Sequence, residues 1–266
     1  MNSRIFGKAD LHIHSKYSHD AFSPIKKILK KADERGLNLV AITDHNVISG
    51  AKEAEKISED FKVKVIVGEE VDTDEGDVLA LFIKELIPPH LPLKEALKEI
   101  HKQGGLAIIP HPSNWLLGGL PIKAISENYK DVDGLELFNA SIAGAINRKK
   151  ITKFNKKIFH LTATASSDAH LAGAVGRTYT IFPGRTAEDL YQAIKNKETS
   201  LNYCSWTIFD HILWIINFPR RFFKNPMATF KDLKELINNI IKLNKYRIAN
   251  NNLNNKNVKH NHPSPK

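Results

Sequence analysis

The sequence has a single cysteine, Cys204, among its 266 residues, so neither an internal disulfide nor a cysteine-based metal site can form within one chain. It lacks an apolar run long enough to cross a bilayer, and its first residues lack the apolar core of a signal peptide. A G-x-S-x-G nucleophile elbow is missing as well. These absences predict a cytoplasmic protein that would bind any metal through His, Asp and Glu, without a serine or cysteine nucleophile.

Positive charge is concentrated in the last quarter of the chain. The formal net charge is +10, but residues 205–266 hold 11 Lys and Arg against 3 Asp and Glu, which leaves 28 against 26 in residues 1–204. A body so close to neutral favours a small molecule over nucleic acid as its partner, whereas the basic tail could attract a nucleic-acid backbone.

Short apolar, β-branched runs alternate with helical stretches from Ala9 to about Glu198. Most of the runs are near-continuously hydrophobic, as parallel strands covered on both faces are. Seven or eight strand-then-helix units predict an α/β fold with a closed or distorted barrel. The runs are DLHIH, LVAITDH, KVIVGEE, DVLALFI, LAIIPHP, GLELFN, LTATASSDAH and TYTIF.

The pattern changes after about Ser200. We predict a barrel domain over residues 1–204, an apolar and basic helical extension over 205–248, and a disordered, Asn-rich tail over 249–266. Residues 206–224 combine aromatic and aliphatic side chains with the basic segment RRFFK. This composition predicts either peripheral contact with an anionic bilayer or a helix on the outside of the barrel.

Histidines and carboxylates recur at the carboxyl ends of the predicted strands, which meet on one face of a parallel barrel. His12 and His14 lie two apart on an extended strand, so both can bind one ion. An isolated H-x-H pair is better explained by buried histidines bonded to backbone. That explanation does not extend to ionisable groups at the ends of most strands, because burying unpaired charge is costly. We therefore predict a metal cluster.

Five segments resemble the ordered motifs of the PHP (polymerase and histidinol phosphatase) family of metal-dependent phosphoesterases. They are DLHIHSKYSHDA, AITDHN, GEEV, PHP and SSDAH, and the resemblance extends from about Ala9 to Pro183. It implies a distorted (β/α)7 barrel with two or three divalent ions at the carboxyl ends of the strands. Mn²⁺, Zn²⁺ or Fe²⁺ would suit such ligands.

The resemblance also implies the metal ligands. One ion would be surrounded by His12, His14, Glu70 and Asp168, a second would be bound by Glu70 and His111, and a third by Asp20, His45 and His170.

Two of these assignments have neighbours that compete for the role. His19 competes with Asp20, whose spacing from His14 matches the family, and Glu69 competes with Glu70, which fits the family pattern of glycine, any residue, glutamate. Many relatives have a histidine where this chain has Asp77, so either Asp77 replaces that ligand or the second ion is bound more weakly.

A metal-bound water would be the nucleophile, and Asp44 would orient a histidine rather than bind metal. Arg177 is the first candidate for binding substrate phosphate, followed by Lys16 and Arg148, for which a solvated surface charge is the alternative. Glu136 and Asn139 are predicted to line the substrate pocket.

The predicted function is hydrolysis of a phosphate ester on a small molecule or nucleotide. One alternative is a nuclease of the same fold. Another is a barrel amidohydrolase, since such enzymes also have an H-x-H pair on an early strand and cleave C–N bonds.

Overall fold

The computed structural model describes residues 5–114, 117–141, 144 and 147–217, all of them within the unit Met1–Lys224. Residues 218–248 of the predicted extension and the predicted tail 249–266 lie outside this part, and the domain boundaries stay predictions. The strands are β1 (Phe6–Asp10), β2 (Leu39–Ile42), β3 (Lys64–Asp72), β4 (Asp77–Leu81), β5 (Leu106–Ile109), β6 (Gly134–Asn139), β7 (Thr162–Ser166), β8 (Thr180–Pro183) and β9 (Ser200–Leu201). The helices are α1 (Ile25–Glu34), α2 (Ser49–Ile57), α3 (Leu93–Lys102), α4 (Ile122–Asn128), α5 (Arg148–Phe154), α6 (Ala187–Asn196) and α7 (Ile208–Ile216).

The strands form one sheet in the order β7-β6-β5-β4-β3-β2-β1-β8-β9. Just beyond β1 and β7, Ile13 and Ala169 form an isolated parallel bridge, and the His14 N–H donates to the Ala169 carbonyl oxygen at 3.0 Å. This bridge brings the chain after β1 against the chain after β7, so the sheet is nearly closed. The predicted distorted α/β barrel is confirmed.

Strand direction differs from an all-parallel sheet at β4, which is antiparallel to both β3 and β5, and at β8, which is antiparallel to β1 and to β9. β3 and β4 are joined by a turn too short for a crossover helix, with the Thr73 N–H donating to the Gly76 carbonyl oxygen at 3.0 Å. Gly76 has a φ of 140°, which favours glycine there. Because β4 is antiparallel to β3 and β5, its first residue, Asp77, lies at the edge of the sheet where β3 and β5 have their carboxyl ends.

The two faces of the sheet are buried in different clusters. Val40 and Ile42 belong to a core shared with residues of α1, α2, α3 and α4, whereas Leu39 and Ala41 belong to a cluster of strand residues together with α6. Alternation along each strand produces this division. The strands are therefore buried on both sides, as their near-continuous hydrophobicity predicts.

Helix α7 begins with a capping box formed by Thr207 and Asp210. Trp206 just before it is buried in the core, and its indole N–H donates to the Ser167 carbonyl oxygen at 2.7 Å. The apolar side of α7 is exposed, with Ile208 at 80% and Ile216 at 64%. Among the described residues, no helix is long and apolar enough to span a membrane.

Candidate metal centre

The carboxyl edge of the nearly closed sheet brings together the eight metal ligands predicted from the sequence, and Asp77 joins them. Each lies at or beyond the end of a strand, except Glu70, which is inside β3, and Asp77, which begins β4. The set consists of His12 and His14 after β1, Asp20 in the following loop, His45 after β2, Glu70, Asp77, His111 after β5, and Asp168 and His170 after β7.

Glu70 lies at the middle of the cluster. Its Oε2 is 3.1 Å from His12 Nε2 and 3.2 Å from His14 Nε2, while its Oε1 is 3.1 Å from His111 Nε2. The two nitrogens of His12 and His14 are themselves 3.0 Å apart. Two imidazole nitrogens and a carboxylate converging in this way, all buried, form a set of donors suited to a shared cation.

Asp20 connects the loop after β1 with the last histidine of the cluster. Its Oδ2 is 2.5 Å from His170 Nε2 and 3.7 Å from His45 Nε2. The Ser18 hydroxyl donates to the other Asp20 oxygen at 2.7 Å. The structure thus places Asp20 among these histidines, and the ring of His19 lies 5.1 Å from that of His45.

Four overlapping groups could each hold an ion, with the ligand atoms of a group within 4.8 Å of one another. Among the described residues, the buried Nδ1 of His111 has no hydrogen-bond partner, which fits a ring held for metal binding. Mixed imidazole and carboxylate donors suit Mn²⁺, Fe²⁺ or Zn²⁺. The groups are His14, Asp20, His45 and His170; His12, His14 and Glu70; His12, His111 and Asp168; and Glu70, Asp77 and His111.

The charges in the cluster shift one another's pKa values. Burial lowers the pKa of His12, but the charges of Glu70 and Asp168 outweigh burial and raise it well above the usual value. Burial raises the pKa of Glu70, but His12 and His45 outweigh this and hold it well below the usual value. Asp77 differs, because burial and the charge of Glu70 both raise its pKa well above the usual value. A cation beside Asp77 and Glu70 would relieve this repulsion.

Glu136 and Asn139 lie behind the cluster, although they are predicted to line a substrate pocket. Glu136 Oε1 is 3.3 Å from His12 Nδ1, and its Oε2 accepts from the His111 N–H at 2.9 Å. The Asn139 amide donates to Glu136 at 2.9 Å and to Asp168 at 3.0 Å. Glu136 is 2% exposed and Asn139 is 3% exposed, so neither side chain lines an open pocket. Their hydrogen bonds orient the residues of the cluster instead.

Asp44 fixes the loop that follows His14. It accepts from the Ser15 N–H at 2.5 Å, from the Ser15 hydroxyl at 2.7 Å and from the Ser18 N–H at 3.2 Å. The sequence predicts that Asp44 orients a histidine, whereas these bonds position the loop that carries Asp20. An aspartate can orient a histidine or position a loop, so the sequence alone does not separate these two roles.

Asp10 was not among the predicted site residues, yet it ties two site loops to β1. It accepts from the Ser167 N–H at 2.9 Å and from the Gly176 N–H at 2.7 Å. Burial raises its pKa to about 6. The sequence places Asp10 among the carboxylates at the strand ends, but its two backbone partners are more than 150 residues away along the chain, so its role is not visible there.

The three predicted phosphate-binding cations have other partners. Arg177 Nε lies 3.0 Å from Asp210 of α7, and Lys16 Nζ lies 3.0 Å from Glu53. The Arg148 guanidinium lies over the ring of Phe138, 4.9 Å from its centroid. The structure therefore does not bring these side chains into the cluster.

Two of the cluster residues have left-handed backbone conformations, His111 with a φ of 29° and Asp168 with a φ of 52°. Aspartate tolerates this region, but it is unusual for a histidine directed into a buried site. Such conformations persist where surrounding contacts enforce them, and they concentrate at functional sites.

The model of the PHP domain family matches residues 10–249 of the chain. The uncharacterized protein MJ1587 of Methanocaldococcus jannaschii is 40% identical over 162 residues, which cover 57% of this chain and 93% of that protein.

Solved structures share the fold. A two-domain protein from Bacteroides vulgatus, which contains a predicted PHP-like metal-dependent phosphoesterase, has a TM-score of 0.62 at 21% identity, covering 77% of this chain and 66% of that one. The lesion-specific endonuclease PfuEndoQ from Pyrococcus furiosus has a TM-score of 0.52 at 17% identity, covering 79% and 66%.

Proposed function

Because this chain belongs to the PHP domain family, we propose that it hydrolyses phosphate esters at the cluster around Glu70, with two or three divalent metal ions as cofactors. The observation that carries the proposal is the sharing of ligands, since His12, His14, Glu70 and His111 each belong to two of the four groups. Ions bound this close together would lower the pKa of a water molecule and polarise a phosphoryl oxygen.

The chain's own residues supply orientation. Glu136 contacts Nδ1 of His12, which leaves Nε2 directed at Glu70. The backbone carbonyl of Asp168 lies 3.0 Å from Nδ1 of His170, whose Nε2 meets Asp20. These contacts fix which ring nitrogen of each histidine enters the cluster.

The test combines metal analysis with hydrolysis of 4-nitrophenyl phosphate and bis(4-nitrophenyl) phosphate in the presence of Mn²⁺. We expect bound metal and activity, both reduced in His14→Ala. His101→Ala is the matched control, because His101 pairs with Asp133 outside the cluster and should change neither. Protein without metal, or equal activity in both variants, would refute the proposal. Cleavage of C–N bonds in place of P–O bonds would support the amidohydrolase alternative.

The substrate is proposed to be a small phosphorylated molecule or nucleotide, in line with the near-neutral body of the chain. Nucleic acid is the second candidate, supported by the fold shared with a lesion-specific endonuclease and by an unpaired basic surface described in the next subsection. Comparing hydrolysis of nucleotides with hydrolysis of oligonucleotides separates the two candidates.

Peripheral membrane contact through residues 206–224 is a separate proposal. It is supported by the exposed apolar side of α7, where Ile208, Phe209 and Ile215 are each more than 60% exposed, and by the basic segment RRFFK that follows in the sequence. Co-sedimentation with anionic lipid vesicles is expected to fall in Phe209→Ser/Ile215→Ser. Equal sedimentation of parent and variant would oppose membrane contact.

A further inference from the structure

One segment of the chain carries positive charge without any negative charge. Between Glu136 and Asp168 the sequence contains no Asp or Glu, yet it contains six Lys and Arg within residues 148–157. The near-neutral total of residues 1–204 conceals this segment, because acidic residues elsewhere cancel it in the sum. The basic residues are Arg148, Lys149, Lys150, Lys153, Lys156 and Lys157.

The five lysines of this segment form an exposed surface, here named the α5 lysine surface. Three of them lie in α5, and the other two lie in the π-helical turn Asn155–Phe159 that follows it. Lys153 is four residues from Lys149 and three from Lys150, so these three share one helix face. Ile151 and Phe159 are buried instead, and they hold the segment against the body of the protein.

Among the α-helices that the structure describes, α5 alone contains no Asp or Glu. Lys31 pairs with Glu34, Lys102 with Glu99, and Lys123 with Glu127, each within one helix. Within the described part of the chain, no carboxylate lies within ion-pair distance of any of the five lysines. Their charge is therefore free to attract an anion.

The segment begins beside the candidate metal centre. Asn139, eight residues before Asn147, binds Asp168 of the cluster. Asn147, which directly precedes α5, donates from its side-chain amide to the Ser113 carbonyl oxygen at 2.6 Å, and Ser113 lies two residues after His111. As in other strand-then-helix units, α5 then runs back along the outside of the barrel, away from the site edge.

We propose that the α5 lysine surface binds the phosphate backbone of a nucleic-acid strand whose phosphodiester is cleaved at the metal centre. This inference rests on the proposed phosphoesterase function and selects nucleic acid, the second of its two substrate candidates. From Lys149 to Lys157 the helical rise covers about 12 Å. That distance matches about three to four phosphates at roughly 3.4 Å per nucleotide.

The experiment measures binding and hydrolysis separately in the full chain. Fluorescence anisotropy with labelled single strands of roughly 20 nucleotides, DNA and RNA in parallel, is recorded from about 50 to about 400 mM salt without added metal. The variant is Lys149→Gln/Lys150→Gln/Lys153→Gln. Its matched control is Lys26→Gln/Lys27→Gln/Lys30→Gln, which removes the same charge from exposed positions of α1.

We expect the α5 variant to lower the slope of log affinity against log salt by about 2, since each lost contact to a single strand contributes about 0.7. This slope corresponds to about 100-fold weaker binding near 0.1 M salt. The α1 control should bind as the parent does. Hydrolysis of bis(4-nitrophenyl) phosphate should be unchanged in both, because neither set of lysines touches the cluster.

Equal loss of binding in the α5 and α1 variants would overturn the inference, because only total charge would then matter. Unchanged binding of oligonucleotides by the α5 variant would overturn it as well. The same holds if the α5 variant loses binding to anionic vesicles but keeps its binding to oligonucleotides. Failure of the proposed function has a different signature: the parent protein would not hydrolyse the aryl diester, whatever its affinity for nucleic acid.

Discussion

The ion pair between Arg177 and Asp210 separates a structural role for Arg177 from the substrate-binding role that the sequence suggests. The perturbations are Arg177→Gln, Asp210→Asn and the double variant. Asparagine at position 210 keeps an oxygen that can accept from Thr207, so the helix cap of α7 is preserved while the charge is removed.

The magnitude follows from the geometry of the pair. At 3.0 Å and an effective dielectric constant of about 20, the Coulomb attraction is about 5.5 kcal/mol before desolvation. The Asp210 side chain is 5% exposed and that of Arg177 is 27% exposed, so desolvation offsets most of this attraction. We expect a coupling energy of about 1–2 kcal/mol, and a loss of about 2 kcal/mol in each single variant.

The assay is urea denaturation of the metal-loaded protein at neutral pH, analysed as a double-mutant cycle, together with KM for an aryl phosphate. A structural role predicts similar destabilisation by both single variants and a KM within about twofold of the parent. A coupling energy below about 0.3 kcal/mol, combined with a raised KM in Arg177→Gln alone, would refute the structural role and restore the substrate-binding role.

Three further predictions follow from buried groups. Burial raises the pKa of Glu69 from 4.5 to about 8, so the folded state loses stability as pH rises through this range. Glu69→Gln should therefore raise the free energy of unfolding by about 3 kcal/mol at pH 7 but only about 1 kcal/mol at pH 5, and urea titrations with equal gains at both would contradict this reasoning. Gly50→Ala should cost about 1–3 kcal/mol, because the added Cβ would lie 2.0 Å from Asp44 Oδ2 and 2.7 Å from Ser15 Oγ; an unchanged melting temperature would be inconsistent with that contact. Chelation with EDTA should lower the melting temperature, and Mn²⁺ at about 100 times its Kd should restore about 2.7 kcal/mol, whereas a melting curve indifferent to EDTA would argue against a metal-filled cluster.

Much of the fold could be predicted from the sequence, because hydrophobic runs and motif order are local properties. All eight runs contribute residues to strands, although in DLHIH only Asp10 belongs to β1 and the rest follows it. The direction of β4 was not anticipated, since it depends on the short turn between Asp72 and Asp77. Hydrophobicity does not encode strand direction.

The candidate site likewise has residues that the sequence predicts and residues whose roles it does not. The structure brings together the residues that the motifs single out, because each follows the end of a strand that the barrel places on one edge. The residues behind them could not be assigned, because roles such as those of Glu136 and Arg177 are set by partners far away in the sequence. Glu136 meets His12 across 124 positions, and no local pattern reports such a contact.

The near-closure of the sheet has a consequence for the synthesis of the protein on the ribosome. β1 pairs with β2 along one edge and with β8 along the other, and the chain after β1 bridges to Ala169, so this second edge waits for about 170 residues before its partner exists. At about 5–20 residues per second, that wait lasts roughly 10–35 s. During this interval His12 and His14 have emerged without Asp168 or His170. The centre is therefore completed late in translation, and metal captured earlier by the nascent histidines would be held by only part of its ligands.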